Sequence, residues 1–117
     1  MKKAISIFIA AFITLNLSGQ DKPVSGLLTG NIMDEKKKAL EGATVQLISM
    51  SDSLNKKLAI TDKTGFFTFS GIGFGYYRLA ITYVGLQSLS IDSINFRTER
   101  YDFNLSDISL MHQTTGN

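Results

Sequence analysis

The sequence contains no cysteine and no tryptophan, and only one proline and one histidine. The lack of cysteine excludes a disulfide framework, a thiolate metal site, a thiol nucleophile and a lipid-bearing cysteine behind a leader. A single histidine leaves a zinc centre, which takes three or four protein donors, without a ligand set. It also leaves a serine–histidine–acid triad only His112 to recruit, from a polar C-terminal stretch, and no nucleophile-elbow pattern is present. Charge of one sign is lacking too: 12 basic residues stand against 10 acidic ones. The only basic run, Lys36-Lys37-Lys38, sits beside Asp34 and Glu35 in a predicted turn, so the clustered surface that nucleic acid requires is missing. Asp62-Lys63-Thr64-Gly65 begins like a calcium loop but has neither the alternating oxygen ligands nor the closing Glu. No catalytic residue, metal or cofactor is therefore expected.

Long apolar runs are absent except at the N-terminus. Met1-Lys2-Lys3 is basic, Ala4 to Leu17 is apolar with three polar interruptions, and Ser18-Gly19-Gln20 is small and polar. This is the three-part layout of a secretory signal peptide. The competing reading, a membrane anchor, needs about 20 apolar residues, more than this run supplies. Cleavage is expected after Ser18, Gly19 or Gln20. Loss of Lys2 and Lys3 leaves ten basic against ten acidic residues, a formally neutral domain. The chain divides into a leader over 1–20, one domain over 21–110 without a membrane span, and a polar tail or linker over 111–117.

What the remainder does contain is short alternating stretches. Leu28, Gly30 and Ile32 share one face of a first strand. Ala43, Val45 and Leu47 share one face of a second. Leu58 and Ile60 alternate with Ala59 and Thr61, and Phe67 and Phe69 with Phe66 and Thr68. Between these two runs Asp62 can bond the backbone two residues on, and Gly65 can take the positive φ that ends such a turn. Ser70 to Gly75 reads as a glycine-punctuated connection. A phosphate-cradling loop is the alternative there, but no Lys-Ser/Thr and no helix follow. Tyr77, Leu79, Ile81 and Tyr83 face one way along a fifth strand, with Tyr76, Arg78, Ala80 and Thr82 opposite. Leu89 and Ile91 begin a sixth strand, Asp92 to Arg100 reads as a looser polar crossing, and Tyr101 to Leu105 makes a seventh. Nowhere beyond the leader do apolar residues keep helical spacing. The pattern predicts an all-β, seven-stranded antiparallel Greek-key sandwich. Its expected core is Ile32, Val45, Leu47, Ile60, Phe67, Phe69, Tyr77, Leu79, Ile81 and Phe103.

Five motifs then fall in a fixed order: Gly30-x-Ile32-x-Asp34, Leu40-x-Gly42-Ala43-x-Val45, Thr61-Asp62-x-x-Gly65-x-Phe67-x-Phe69, Gly75-x-Tyr77-x-Leu79 and Tyr83-Val84-Gly85. Together they resemble the carboxypeptidase regulatory-like domain, a transthyretin-like (prealbumin-like, Ig-like) β-sandwich, over about residues 25–110. Ala39 and Phe74 stand where that family usually has proline, and Leu86 where it usually has an aromatic. The zinc-bearing catalytic domain of metallocarboxypeptidases is absent. So is the C-terminal Tyr-Arg-Gly-Ser of the hydroxyisourate hydrolases that share the fold.

The resemblance implies a non-catalytic module. In Gram-negative bacteria such domains commonly form the N-terminal periplasmic part of TonB-dependent receptors and related outer-membrane β-barrels. The expected role is thus protein contact in transport or assembly, with a partner protein or a C-terminal barrel of the same gene product. An exposed edge strand, the first or the last, would offer the contact by β-augmentation. The alternative is a free-standing secreted domain for carbohydrate binding or adhesion, using the outward aromatics Tyr76 and Phe66.

Overall fold

The computed structural model describes residues 24–113; the leader expected over 1–20 and the tail residues 114–117 lie outside the described residues. Seven strands follow in order: β1 (Gly26–Asp34), β2 (Thr44–Ser49), β3 (Lys56–Ile60), β4 (Phe66–Ile72), β5 (Gly75–Thr82), β6 (Leu89–Phe96) and β7 (Asp102–Leu110). They form a three-stranded sheet, β4-β1-β7, and a four-stranded sheet, β3-β2-β5-β6. The all-β sandwich read from the alternation is the fold observed. One pairing departs from the antiparallel expectation: β1 and β7 run parallel. β7 reaches the three-stranded sheet by crossing from the other one, and a crossover, unlike a hairpin, permits a parallel neighbour.

That pairing sets the polarity of the domain. β1 and β7 both run from a lower end to an upper end. The upper end gathers the β1–β2 connection, the β3–β4 turn, the β5–β6 turn and the residues after β7. The lower end gathers the residues before β1 and the remaining connections. The expected edge is thereby corrected in part: β1 lies in the centre of its sheet, whereas β7 is at an edge, as are β3, β4 and β6.

Alternate side chains of both sheets meet in one core. Leu28, Ile32, Val45, Leu47, Leu79 and Ile81 are fully buried, with Phe67, Phe69, Tyr77 and Phe103 nearly so. Gly30 shares this layer because a Cβ there would stand 2.8 Å from the Phe67 ring. At the lower end the rings of Tyr77, Phe96 and Phe103 stack edge to face, with centroids 5.6 and 4.8 Å apart. The Tyr77 hydroxyl donates to Gly73 O at 2.9 Å, and the Arg100 guanidinium lies 4.2 Å above the Phe103 ring.

Of the ten expected core residues only Ile60 is misplaced; it is 56% exposed, as is its neighbour Leu58 at 61%. β3 pairs Thr44 with Ile60 and Val45 with Ala59, so its inward positions are Ala59 and Thr61. Thr61 is tolerated inside because its hydroxyl donates to Leu40 O at 2.6 Å and accepts from Ala43 N at 2.8 Å.

The polar crossing over Asp92 to Arg100 is also corrected. β6 continues to Phe96, and Ile94 and Phe96 are buried. Likewise β4 runs through Ser70 and Gly71 to the buried Ile72. The same irregularity underlies both. Inward residues are three apart at Phe69/Ile72, Ile91/Ile94 and Leu105/Ile108, each interval spanning a left-handed residue: Gly71 (φ 64°), Ser93 (φ 60°) and Ser106 (φ 58°). At each interval the pairing register shifts by one residue. These are β-bulges, in which one extra residue returns the apolar set to the core.

Candidate functional site

The motif residues divide by position. Asp34, Gly42, Ala43, Asp62, Gly65 and Gly85 lie at the upper end. Gly30, Val45, Phe67, Phe69, Tyr77 and Leu79 belong to the strands around the core, and Gly75 opens β5 at the lower end.

The upper-end carboxylates hold turns. Asp34 Oδ1 accepts from Lys36 N at 2.8 Å and Lys38 N at 2.9 Å, organising a turn in which Lys37 takes φ 67°. The Lys38 N–H is the chief cause holding the Asp34 carboxyl below its ordinary pKa. Asp62 Oδ1 accepts from the Thr64 hydroxyl at 2.7 Å, Thr64 N at 2.9 Å and Phe66 N at 3.0 Å. These donors, the Thr64 hydroxyl first, lower the Asp62 pKa because each favours the charged form. Gly65 has φ 78°, and a Cβ there would stand 2.3 Å from Ile32 O. Its own carbonyl accepts from Ile32 N at 2.7 Å, while Ile32 O accepts from Leu40 N at 3.0 Å. The β3–β4 turn is thus bonded onto β1, and β1 onto the β1–β2 connection.

Beside this cap a cleft of about 430 Å³ opens between Asp34, Lys38, Leu40, Tyr83, Leu86 and His112. Gly85, with φ 85°, forms the turn on its far wall, closed by Leu86 N donating to Tyr83 O at 3.1 Å. The residues after β7 close the cleft's rim. Gln87 N donates to Met111 O at 2.8 Å, and Leu86 and His112 form an isolated β-bridge. His112 Nδ1 meets Glu35 Oε2, which also accepts from His112 N at 3.3 Å. Contact with the imidazole is the chief cause lowering the Glu35 pKa. The polar tail or linker expected over 111–117 therefore starts as a bonded segment. Glu35 and His112 are 77 positions apart, and only the parallel placing of β7 beside β1 brings them together.

The cleft does not assemble a catalytic set. Asp34 is engaged by backbone donors, His112 by Glu35, and among the described residues no serine or threonine lines the wall. Among the described residues no group of three or more potential ligands could hold a metal ion. Nor do the two aromatics expected to face outward, Tyr76 and Phe66, form a platform with each other. Tyr76 is exposed at the lower end of the four-stranded sheet, whereas Phe66 is exposed at the upper end of the three-stranded one.

The fold has relatives among solved structures. It resembles part of BcpA, the major pilin subunit of Bacillus cereus, with TM-score 0.65 and 18% identity, covering 78% of this chain and 31% of the pilin. A chain of a type II cohesin–X-dockerin complex from Acetivibrio cellulolyticus matches with TM-score 0.56 and 21% identity, over 74% of this chain and 57% of that one. Chlorocatechol 1,2-dioxygenase from Pseudomonas putida matches with TM-score 0.60 but 8% identity, over 80% of this chain and 63% of the enzyme. A pilin, a chain of a cohesin–X-dockerin complex and a dioxygenase share only the sandwich with this chain at these identities. The chain spans less than two thirds of each. No curated protein sequence gives a significant match. The carboxypeptidase regulatory-like domain model matches residues 28–106, which takes in β1 from Leu28 onward, the whole of β2 to β6 and about half of β7. The chain belongs to the carboxypeptidase regulatory-like domain family, a family of non-catalytic β-sandwich modules.

Proposed function

We propose that the chain is exported by its N-terminal segment and serves as the N-terminal periplasmic module of an outer-membrane β-barrel protein of the TonB-dependent receptor type. It acts by protein contact in transport or assembly and performs no chemistry of its own. The observation that carries this reading is the parallel pairing of β1 with β7. It makes the domain an in-line connector: the chain arrives at one end and leaves at the other, about 30 Å away at ~3.3 Å per residue of β1. The departing residues 111–113 are held by bonds to Glu35 and to the β5–β6 turn. At the upper end Asp34, Thr61, Asp62 and the Glu35–His112 pair are engaged in bracing the turns. The alternative reading as a carbohydrate-binding domain draws on Tyr76 and Phe66 together, and these two stand on different sheets at opposite ends.

The test is fractionation of cells making the natural gene product, with an antibody against residues 24–113. The proposal expects the signal in the outer membrane, on a species much heavier than 12.9 kDa. A soluble species of that mass or less in periplasm or medium would sink it.

A further inference from the structure

The two sheets present four edge strands, and they are not equivalent. β4, β6 and β7 each carry a bulge with a left-handed residue, at Gly71, Ser93 and Ser106. Bulges twist an edge and interrupt its hydrogen-bonding row, a common protection against unwanted pairing. β3 has none: its register with β2 is unbroken from Lys56 to Ile60.

The pairing of β3 also fixes which backbone groups it leaves open. Thr61 N donates to Ala43 O, and Ser49 N donates to Asn55 O, both at 3.0 Å. These two positions mark the hydrogen-bonded phase of the ladder, so Lys57 and Ala59 point their backbone groups at β2. Lys56, Leu58 and Ile60 point theirs outwards. The same residues carry exposed side chains on the outer face of the sheet, apolar at Leu58 and Ile60. At the lower end of the strand Lys56 and Lys57 are both exposed, and among the described residues neither has an ion-pair partner.

We propose that β3 is a docking edge for an extended acidic–apolar polypeptide segment, which adds to the four-stranded sheet as a fifth strand. The chemistry of the segment follows from what it must face. Positions opposite Ile60 and Leu58 are apolar, the position opposite Ala59 is small, and those opposite Lys57 and Lys56 are acidic. Charge complementarity selects this occupant over a second copy of the chain. Antiparallel self-pairing would set lysines against Ile60 and Ala59 with no counter-charge, and parallel self-pairing would set lysine against lysine, which is repulsive. The proposal supplies the partner chemistry of the contact module described above, on which its biological setting rests.

The test is amide hydrogen exchange and titration by NMR on the domain comprising residues 21–113, within the intact processed chain. The probe is a short peptide of alternating valine and threonine ending in two glutamates, compared with its counterpart ending in two lysines. With the acidic peptide, exchange at Leu58 and Ile60 slows by about tenfold or more, as expected for amides that become ladder donors. Binding of the lysine peptide is weaker by roughly fivefold, the scale of two exposed ion pairs. Leu58→Pro removes the middle of the three outward donors, a substitution an edge strand accommodates, and abolishes binding. The double change Lys56→Glu with Lys57→Glu reverses the peptide preference and tests the same edge should the proline variant not fold. No protection at Leu58 and Ile60, or equal binding of both peptides, overturns the proposal. Protection that rises with protein concentration alone would assign the edge to a second copy instead. None of these failures touches the outer-membrane fractionation result, which tests the broader reading separately.

Discussion

Phe96→Ala is the substitution that bears hardest on this account of the core. Phe96 is 1% exposed and lies between Tyr77 and Phe103 in edge-to-face contact with both. Truncating a buried Phe to Ala costs about 3–5 kcal/mol. Each aromatic pair adds about 0.5–1.5 kcal/mol beyond burial, which places this site in the upper part of that range, at about 4–5 kcal/mol. For a domain of this size each kcal/mol lowers the melting temperature by about 4–8 °C, so the expected fall is at least about 16 °C. The control is Ile60→Ala. Ile60 is more than half exposed at an edge, and its loss should cost less than about 1 kcal/mol, mostly strand preference. Thermal unfolding followed by far-UV circular dichroism measures both. Comparable falls for the two variants, or a fall under about 5 °C for Phe96→Ala, would refute the bulged path of β6.

Further expectations follow from the same geometry. Gly65→Ala meets both a left-handed φ and the Ile32 carbonyl, and should cost about 2–3 kcal/mol in denaturant titration. Phe67→Ala should cost about 3–5 kcal/mol, since that ring fills the space opposite Gly30. Replacing the left-handed serine by glycine, in Ser93→Gly or Ser106→Gly, should raise stability by about 0.5–1 kcal/mol, the relief of φ strain less the greater chain entropy of glycine. The pKa of Asp62 is depressed in the fold by the Thr64 and Phe66 donors. Its contribution is therefore complete above the unfolded pKa of about 4 and is lost as pH falls through the lower folded value. Asp62→Asn should flatten that acid limb of a stability–pH curve, and an unchanged limb would show that the carboxylate is not bonded as described.

How far the sequence carried the fold depends on where alternation survives. In β1, β2 and β5 the period of two holds from end to end, and the inward sets Leu28/Gly30/Ile32, Val45/Leu47 and Tyr77/Leu79/Ile81 follow directly. In β4, β6 and β7 a bulge replaces one step of two with a step of three. A reading that demands strict alternation stops there and leaves Ile72, Ile94 and Phe96 in connections. The signal was present: an apolar residue three positions on, across a glycine or serine able to take positive φ, at Phe69-Ser-Gly-Ile72, Ile91-Asp-Ser-Ile94 and Leu105-Ser-Asp-Ile108. β3 fails for the opposite reason. Its alternation is regular, but at an edge the more apolar set is not bound to face the core, and the buried position goes to Thr61 because its hydroxyl closes a turn.

The upper end was legible only in its local parts. Asp62 and Gly65 announce a turn because their partners lie within four residues, and the donors at Thr64 and Phe66 sit where that reading puts them. The bond from Glu35 to His112 could not be read from any window, since it depends on β7 crossing sheets to lie parallel to β1. That same crossover separates the two ends of the domain and leaves β3 on the margin of the other sheet. The placing of the edges on which the proposed contact rests is therefore a property of strand order. Local residue chemistry explains the turns, the core and the carboxylate pKa values. Connectivity leaves four edges and the bulges at Gly71, Ser93 and Ser106 interrupt three of them, and for that reason the proposed partner should be sought along Lys56–Ile60 and not in the cleft beside His112.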